Sequence, residues 1–153
     1  MTVVRASIAI DAPRERVYDY TLDPAHLNEW VTIHRRVNSR DAGPPRPGFE
    51  MNQTLCLRGA NFKVHWTLTE AHRPDRATWE GRGPAHSYAR TSYVLRALDG
   101  GGTRFDYENE FKAPGGILGA AASRMVIGGL PEREAHRTLQ RLKQLLENGR
   151  PPS

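Results

Sequence analysis

The stretch FEMNQTLCLRGANFKVHWTL, residues 49–68, alternates side chains that suit a core with side chains that suit water. This period of two is typical of half-buried β-strands, and the four residues RGAN between the two halves predict a turn. We pair the strands so that Leu57 faces Phe62 and Gln53 faces Trp66, because this register joins their apolar faces. A slip of one residue would turn one set of side chains to the wrong face. The sequence therefore predicts a hairpin with one apolar face.

The same alternation continues to residue 112 and predicts an antiparallel meander. Matching the apolar faces pairs Trp66 with Trp79, Leu68 with Ala77, Trp79 with Ala89, Thr91 with Asn109, Tyr93 with Tyr107, and Leu95 with Phe105. The inward face that results is uncharged and rich in aromatic rings, and it comprises Phe49, Met51, Gln53, Leu55, Val64, Trp66, Leu68, Ala77, Trp79, Ala89, Thr91, Tyr93, Leu95, Phe105, Tyr107, Asn109 and Phe111.

The residues before the meander predict two strands with two short helices between them. Residues 3–10 predict the first strand, and Asp11 is placed to cap a helix over residues 13–20. A second Asp-Pro dipeptide predicts another short helix, which ends near Trp30 and is followed by a strand over residues 31–40.

A long helix is predicted to follow the meander. From Leu118 to Leu146 the apolar residues recur every three or four positions, which is the spacing of one helical face. Pro131 is expected to kink or break this helix, because proline lacks the backbone N–H of the helical ladder.

Composition limits the class of protein. The chain has 153 residues, which corresponds to one domain, and a single cysteine, Cys56, which excludes an internal disulfide. The 22 lysines and arginines against 17 acidic residues give a net charge of +5, which nucleic-acid-binding proteins often show. These cations are spread along the chain and take outward positions in the meander, so we expect no nucleic-acid partner. With no signal-like leader and no membrane-length apolar stretch, we expect a cytoplasmic protein that does not insert into a membrane.

Several short motifs suggest a family. They are Ile8–Pro13 with Val17, Leu22–Pro24 with Glu29 and Trp30, Leu68–Glu70, Gly102–Arg104, Pro114–Gly116, and Leu139–Lys143 with Leu146 and Glu147. With these motifs in this order, nearly the whole chain resembles the START-like superfamily, also called the SRPBCC or polyketide cyclase/dehydrase group. The resemblance implies an α+β helix-grip fold, in which a curved antiparallel sheet of about seven strands wraps around a long C-terminal helix. It implies one domain over residues 1–148 and a disordered tail over residues 149–153.

The resemblance also implies a cavity for a hydrophobic ligand between the sheet and the helix. The composition of the inward face favours an aromatic or polycyclic ligand, although the same aromatic rings would also suit a packed core. The predicted ligand-binding residues are Met51, Gln53, Leu55, Trp66, Leu68, Trp79, Thr91, Tyr93, Phe105, Tyr107, Asn109, Phe111 and Met125. We expect no metal and no cofactor, because the histidines lack metal-ligand spacing and no phosphate-binding glycine loop is present.

Two other functions remain open at this stage. A polyketide aromatase/cyclase or dehydratase would use the same pocket, with Tyr93 and Tyr107 as hydrogen-bond donors and Asn109 orienting the substrate. A sequestration or self-resistance protein would hold a reactive natural product there. Further titratable candidates are His34, Arg35, Arg124 and His136, which we expect to be solvated or at the boundary of the core.

Overall fold

The computed structural model describes residues 2–57, 59–112 and 130–148. Within these ranges the chain forms one seven-stranded antiparallel sheet in the order β1-β7-β6-β5-β4-β3-β2. The strands are β1 (Thr2–Ile10), β2 (His34–Arg40), β3 (Glu50–Leu57), β4 (Ala60–His72), β5 (Arg76–Arg82), β6 (Tyr88–Ala97) and β7 (Thr103–Lys112). The helices are α1 (Arg14–Leu22), α2 (Leu27–Trp30) and α3 (Leu130–Asn148), with 3₁₀ turns at Pro24–His26 and Pro84–His86. This architecture confirms the predicted α+β helix-grip fold.

The β6–β7 hairpin has the predicted register, in which Tyr93 faces Tyr107 and Thr91 faces Asn109. The predicted β3–β4 register is wrong by two residues, because Gln53 faces Val64. Gly59 adopts a φ of +79°, so β3 and β4 are joined by a tighter turn than the predicted four residues. A shift of two residues keeps every side chain on its predicted face, which explains why the hydrophobic pattern did not detect it.

The predicted β4–β5 register is also wrong. Leu68 was expected opposite Ala77 and Trp66 opposite Trp79, but Leu68 faces Trp79 and Trp66 faces Gly81. The register shifts directly after Leu68, as in a β-bulge, so one register does not hold along the whole strand pair.

The predicted pairing of Trp79 with Ala89 across β5 and β6 is wrong as well. Trp79 faces Thr91, and Ala89 faces Gly81. The loop between these strands spans residues 83–87 and contains a 3₁₀ turn, so it is longer than the sequence indicated.

The start of α1 differs from the prediction. Pro13 occupies the cap position, and the backbone N–H of Asp11 donates to Glu147 on α3 at 2.8 Å. The second Asp-Pro dipeptide, Asp23-Pro24, opens a helical turn as predicted. The Asp23 side chain accepts a hydrogen bond from the backbone N–H of Ala25 at 2.9 Å. Strand β2 begins at His34, three residues later than predicted.

Helix α3 packs against β1 and α2. Its buried residues recur at helical spacing and are Ala135, Thr138, Leu139, Leu142, Leu145 and Leu146. Pro131 lies in the first turn of this helix, where a missing N–H costs little. The part of the predicted helix before Leu130, and the predicted tail at residues 149–153, lie outside the described residues.

Candidate ligand-binding cavity

A cavity of about 630 Å³ lies between the concave face of the sheet and the helices. This volume is within the range of pockets that bind small molecules. Its wall is formed by residues of β3 to β7, by α1 and α2, and by one side of α3. Most of the lining is apolar, because the inward positions of the meander carry no charge.

The floor of the cavity follows from one row of paired residues across the sheet. Phe111 faces Ala89, Ala89 faces Gly81, Gly81 faces Trp66, and Trp66 faces Met51. The Trp66 ring lies over Gly81, and the small side chain of Ala89 separates this ring from Phe111. All five residues line the cavity.

Most of the predicted binding residues lie together on the cavity wall, namely Met51, Gln53, Leu55, Trp66, Trp79, Thr91, Tyr93, Tyr107, Asn109 and Phe111. Leu68 and Phe105 do not line the cavity. Both are 0% exposed, and the Phe105 ring packs 6.5 Å from that of Trp30. Strand alternation places a residue on the inner face but does not show where a helix covers that face. Met125 lies outside the described residues.

Sequence reasoning missed the part of the wall formed by the helices, by the loop after β5 and by residues at the ends of the strands. The residues concerned are Thr21, Leu22, Leu27, Trp30, Val31, Ile33, Leu57, Ala60, Phe62, Gly83, Pro84, Ser87, Tyr88, Lys112, Glu134, Ala135, Thr138 and Leu139. The helical spacing of Ala135, Thr138 and Leu139 was a usable signal for one wall. No periodic pattern indicated that Trp30 lines the cavity, because α2 is only one turn long.

Trp66 is held in a defined orientation at the cavity wall. A Cβ atom on Gly81 would lie 2.7 Å from Cε3 and Cζ3 of the Trp66 ring, so the indole packs directly over the glycine backbone. The indole Nε1–H donates to Oε1 of Gln53 at 2.8 Å. The amide nitrogen of Gln53 lies 2.7 Å from Nδ1 of His34. This short chain satisfies the buried amide and restrains the aromatic ring.

His34 belongs to this chain and does not line the cavity. Burial lowers the pKa of its imidazole below the ordinary value, because the charged form loses solvation. Nδ1 of the neutral ring serves as acceptor for the Gln53 amide, which places the ring proton on Nε2.

Two tyrosines and an aromatic cluster form one end of the cavity. The rings of Tyr93 and Tyr107 are stacked with centroids 6.2 Å apart, and Trp30 meets Tyr93 edge-on at 6.1 Å. Burial raises the pKa of Tyr93 well above its ordinary value. Burial also raises the pKa of Tyr107 to about 12, and a hydrogen bond from Asn109 partly opposes this shift. Both hydroxyl groups therefore remain protonated at neutral pH.

The candidate catalytic residues Tyr93, Tyr107 and Asn109 thus lie side by side on β6 and β7. Thr91 donates to Oδ1 of Asn109 at 3.2 Å, so the Thr91–Asn109 pair is partly self-satisfied. Arg35, which we expected to be solvated or at the boundary of the core, is exposed, and its Nη2 lies 3.4 Å from the Cys56 sulfur. The register shift between His34 and Arg36 leaves it unpaired in the β2–β3 ladder, which explains this outcome.

The two remaining titratable candidates are on or near α3. His136 is exposed, whereas Arg124 lies outside the described residues. Sequence reasoning did not single out Glu134, which lines the cavity and accepts a 2.5 Å hydrogen bond from Thr32. The hydroxyl oxygen of Thr138 accepts a hydrogen bond from the backbone N–H of Thr32 at 3.1 Å. These bonds join α3 to the segment that follows α2.

Neither a metal-binding cluster nor a membrane-spanning helix is found in the part of the chain that the structure describes. Across residues 2–57, 59–112 and 130–148, no group of three or more histidine, cysteine or acidic side chains is arranged to hold a metal ion. In the same ranges, no helix combines the length and the apolar character needed to cross a membrane.

A curved antiparallel sheet against α3, with an apolar cavity between them, defines the helix-grip class of ligand-binding domains. Residues 1–147 match the family model for "Polyketide cyclase / dehydrase and lipid transport", and the chain belongs to this family. The resemblance inferred from the sequence is therefore confirmed. No curated protein matches the sequence significantly.

Several solved structures share the fold. DR_A0006 from Deinococcus radiodurans is 20% identical to this chain. The match covers 97% of this chain and 99% of DR_A0006, with a TM-score of 0.71. TTHA0849 from Thermus thermophilus is 19% identical to this chain. The match covers 95% of this chain and 97% of TTHA0849, with a TM-score of 0.74. DynU16, from the dynemicin biosynthetic locus, is 15% identical, with a TM-score of 0.66, and the match covers 97% of this chain and 48% of DynU16. At these identities the likeness supports the fold alone.

Proposed function

We propose that the protein binds one small hydrophobic molecule, aromatic or polycyclic, in the cavity between the sheet and α3. The observation that carries this proposal is the 630 Å³ cavity, whose wall is mostly apolar. A cavity lined by apolar side chains binds apolar molecules, because filling it removes ligand surface from water.

The aromatic lining supports a flat ligand. Trp66 is restrained by Gly81 on one side and by Gln53 at its nitrogen, so it keeps its ring orientation without a ligand. Preorganised rings lose little conformational entropy on binding, and offset stacking adds to the burial of area. The proposed contact residues are Met51, Gln53, Leu55, Trp66, Trp79, Thr91, Tyr93, Tyr107, Asn109 and Phe111.

Binding is favoured over catalysis by the titratable groups at the tyrosine end. The raised pKa values of Tyr93 and Tyr107 make them hydrogen-bond donors and poor proton acceptors. A polyketide cyclase or dehydratase, and a self-resistance protein, are the alternatives that share this pocket. DynU16 comes from a biosynthetic locus, so natural products belong among the compounds tested. Turnover of a bound compound, detected by mass spectrometry, would favour the enzyme.

The proposal is tested by titration with N-phenyl-1-naphthylamine, a neutral aromatic probe whose fluorescence rises in apolar surroundings. We expect saturable binding of one probe per chain. Replacement of Ala89 by Trp fills the space beside Gly81 and should weaken binding at least tenfold. Arg90→Trp adds the same ring to the exposed neighbouring position and serves as the control.

Absence of saturable binding to the wild-type protein would contradict the proposal. Equal binding by the wild-type protein and the Ala89→Trp variant would place the probe outside the cavity and would also contradict it. Circular dichroism spectra identical to wild type establish that both variants keep the fold.

A further inference from the structure

The helical wall of the cavity carries a carboxylate. Glu134 lies near the start of α3 and lines the cavity, and its side chain is 20% exposed. On the part of the wall that the structure describes, the other charged residue is Lys112. Lys112 directly follows Phe111 of the cavity floor, so strand alternation turns the exposed lysine side chain to the outer face of the sheet. The charge presented to the cavity by the described wall is therefore the negative charge of Glu134.

Two threonines hold this carboxylate in place. The Thr32 hydroxyl donates to Oε2 of Glu134 at 2.5 Å. Thr32 is fixed in turn by Thr138, whose hydroxyl oxygen accepts its backbone N–H at 3.1 Å and lies 3.1 Å from its hydroxyl oxygen. Thr138 is 9% exposed and follows Glu134 by one turn of α3. The carboxylate thus has a defined orientation before a ligand arrives, which reduces the entropy lost on binding.

The second oxygen of Glu134 is only weakly engaged. Oε1 accepts a long hydrogen bond of 3.5 Å from Nη1 of Arg137, whose side chain is 72% exposed. Exposed ion pairs of this kind contribute little. A carboxylate offers about four acceptor positions on its two oxygens, so Glu134 can accept a further hydrogen bond from a ligand. Filling an apolar cavity removes water from this charge, and that loss must be compensated by a partner.

We propose that the ligand carries a protonated amine, which donates a hydrogen bond to the carboxylate of Glu134. This inference rests on the proposed function, because it describes the ligand of the same cavity. An ammonium group supplies both the donor and the compensating charge, whereas an anionic group would be repelled. The aromatic lining favours the same sign of charge, because the faces of tryptophan and tyrosine rings attract cations. The ligand class is therefore a hydrophobic aromatic amine.

The test compares two ligands with the same naphthalene ring, 1-methylnaphthalene and 1-naphthylmethylamine, of which the amine is protonated at pH 7. Their affinities are measured by displacement of N-phenyl-1-naphthylamine from the wild-type protein and from Glu134→Gln. The glutamine keeps an oxygen for the Thr32 hydroxyl and removes the charge. We expect the preference for the amine over the hydrocarbon to fall by about tenfold, as the loss of one charge-assisted hydrogen bond would give. The affinity for 1-methylnaphthalene should change less than twofold.

The matched control is Glu132→Gln, which removes the same charge from an exposed residue two positions earlier on α3, outside the described cavity wall. This variant should keep the wild-type preference. A third ligand, 1-naphthoate, places a negative charge on the same ring. It should bind the wild-type protein more weakly than 1-methylnaphthalene does, and it should regain affinity in Glu134→Gln.

An unchanged preference in Glu134→Gln would overturn the inference while leaving the proposed function intact. An equal fall in Glu132→Gln would also overturn it, because the effect would then come from the net charge of the protein. If circular dichroism shows that Glu134→Gln does not fold, the wild-type protein decides, and tighter binding of 1-naphthoate than of the amine would contradict the inference. Failure of both naphthalenes to displace the probe would overturn it as well. Direct titration with N-phenyl-1-naphthylamine then decides separately whether the proposed function fails too.

Discussion

Replacement of Gly81 by alanine tests how the cavity wall is built. The added Cβ would lie 2.7 Å from two carbon atoms of Trp66 and 2.8 Å from Cγ1 of Val64, whereas ordinary contacts begin at 3.4 Å. To restore an ordinary contact, the indole would have to retreat by about 0.7 Å. Because its nitrogen is hydrogen-bonded to Gln53 at 2.8 Å, the ring can move only by straining or breaking that bond.

The expected cost follows from these contacts. Overpacking a well-filled site costs about 1–3 kcal/mol, and a strained hydrogen bond adds up to about 1 kcal/mol. The open cavity gives the ring room to move, so we expect the free energy of unfolding to fall by about 1–3 kcal/mol. The displaced indole would occupy ligand space, and the affinity for N-phenyl-1-naphthylamine should fall as well.

The assay is urea denaturation of four proteins, which are the wild type, Gly81→Ala, Trp66→Leu and the double variant. If the indole carries most of the clash, Gly81→Ala should cost at least about 1 kcal/mol less in the Trp66→Leu background. The clash with Val64 is present in both backgrounds, so its cost drops out of the difference between the two backgrounds. Equal costs in the two backgrounds would refute the packing of Trp66 on Gly81.

Three further predictions concern buried polar groups. Gln53→Leu should lower the free energy of unfolding by about 1–3 kcal/mol in urea denaturation, because it leaves the Trp66 nitrogen and the His34 ring without their partner. The pKa of His34 is lower in the folded than in the unfolded state, so stability should fall as pH drops below about 6.5, where the unfolded chain takes up the proton first. The His34→Gln variant should lose less stability between pH 7.5 and pH 5.5 than the wild type. Thr103→Val should cost about 1–3 kcal/mol, because the fully buried hydroxyl donates to the Ala12 carbonyl at 2.7 Å.

Each of these three predictions has a contradicting result. Unchanged stability of Gln53→Leu would mean that the hydrogen-bonded chain contributes nothing. A pH dependence that is the same in the wild type and in His34→Gln would assign it to other groups. A Thr103→Val variant as stable as the wild type would indicate that the Ala12 carbonyl finds another donor.

The order of elements was predictable because each strand carries its own apolar alternation. The register was predictable only for β6–β7, where Tyr93 faces Tyr107 as expected. At the other predicted pairs the actual partner differs by two residues, and a shift of two leaves the hydrophobic pattern unchanged. The backbone of Gly59 and the bulge after Leu68, which set the true registers, leave no trace in that pattern.

The candidate site was predictable to the extent that it lies on the sheet. Alternation placed Trp66 and Asn109 on the inner face, and both line the cavity. It also placed Phe105 there, although packing against Trp30 fills that end. The wall formed by helices depends on how α1, α2 and α3 cover the sheet, and this is a tertiary property that strand periodicity does not contain.

The most direct test of the account is to locate a bound ligand by NMR. Isotope-filtered NOE spectra of the labelled protein with N-phenyl-1-naphthylamine would show which protein protons lie against the probe. We predict contacts to the rings of Trp66, Tyr93 and Phe111, which line the cavity. Contacts confined to exposed apolar residues such as Val94 and Leu98, or no contacts at saturation, would contradict an internal ligand-binding cavity.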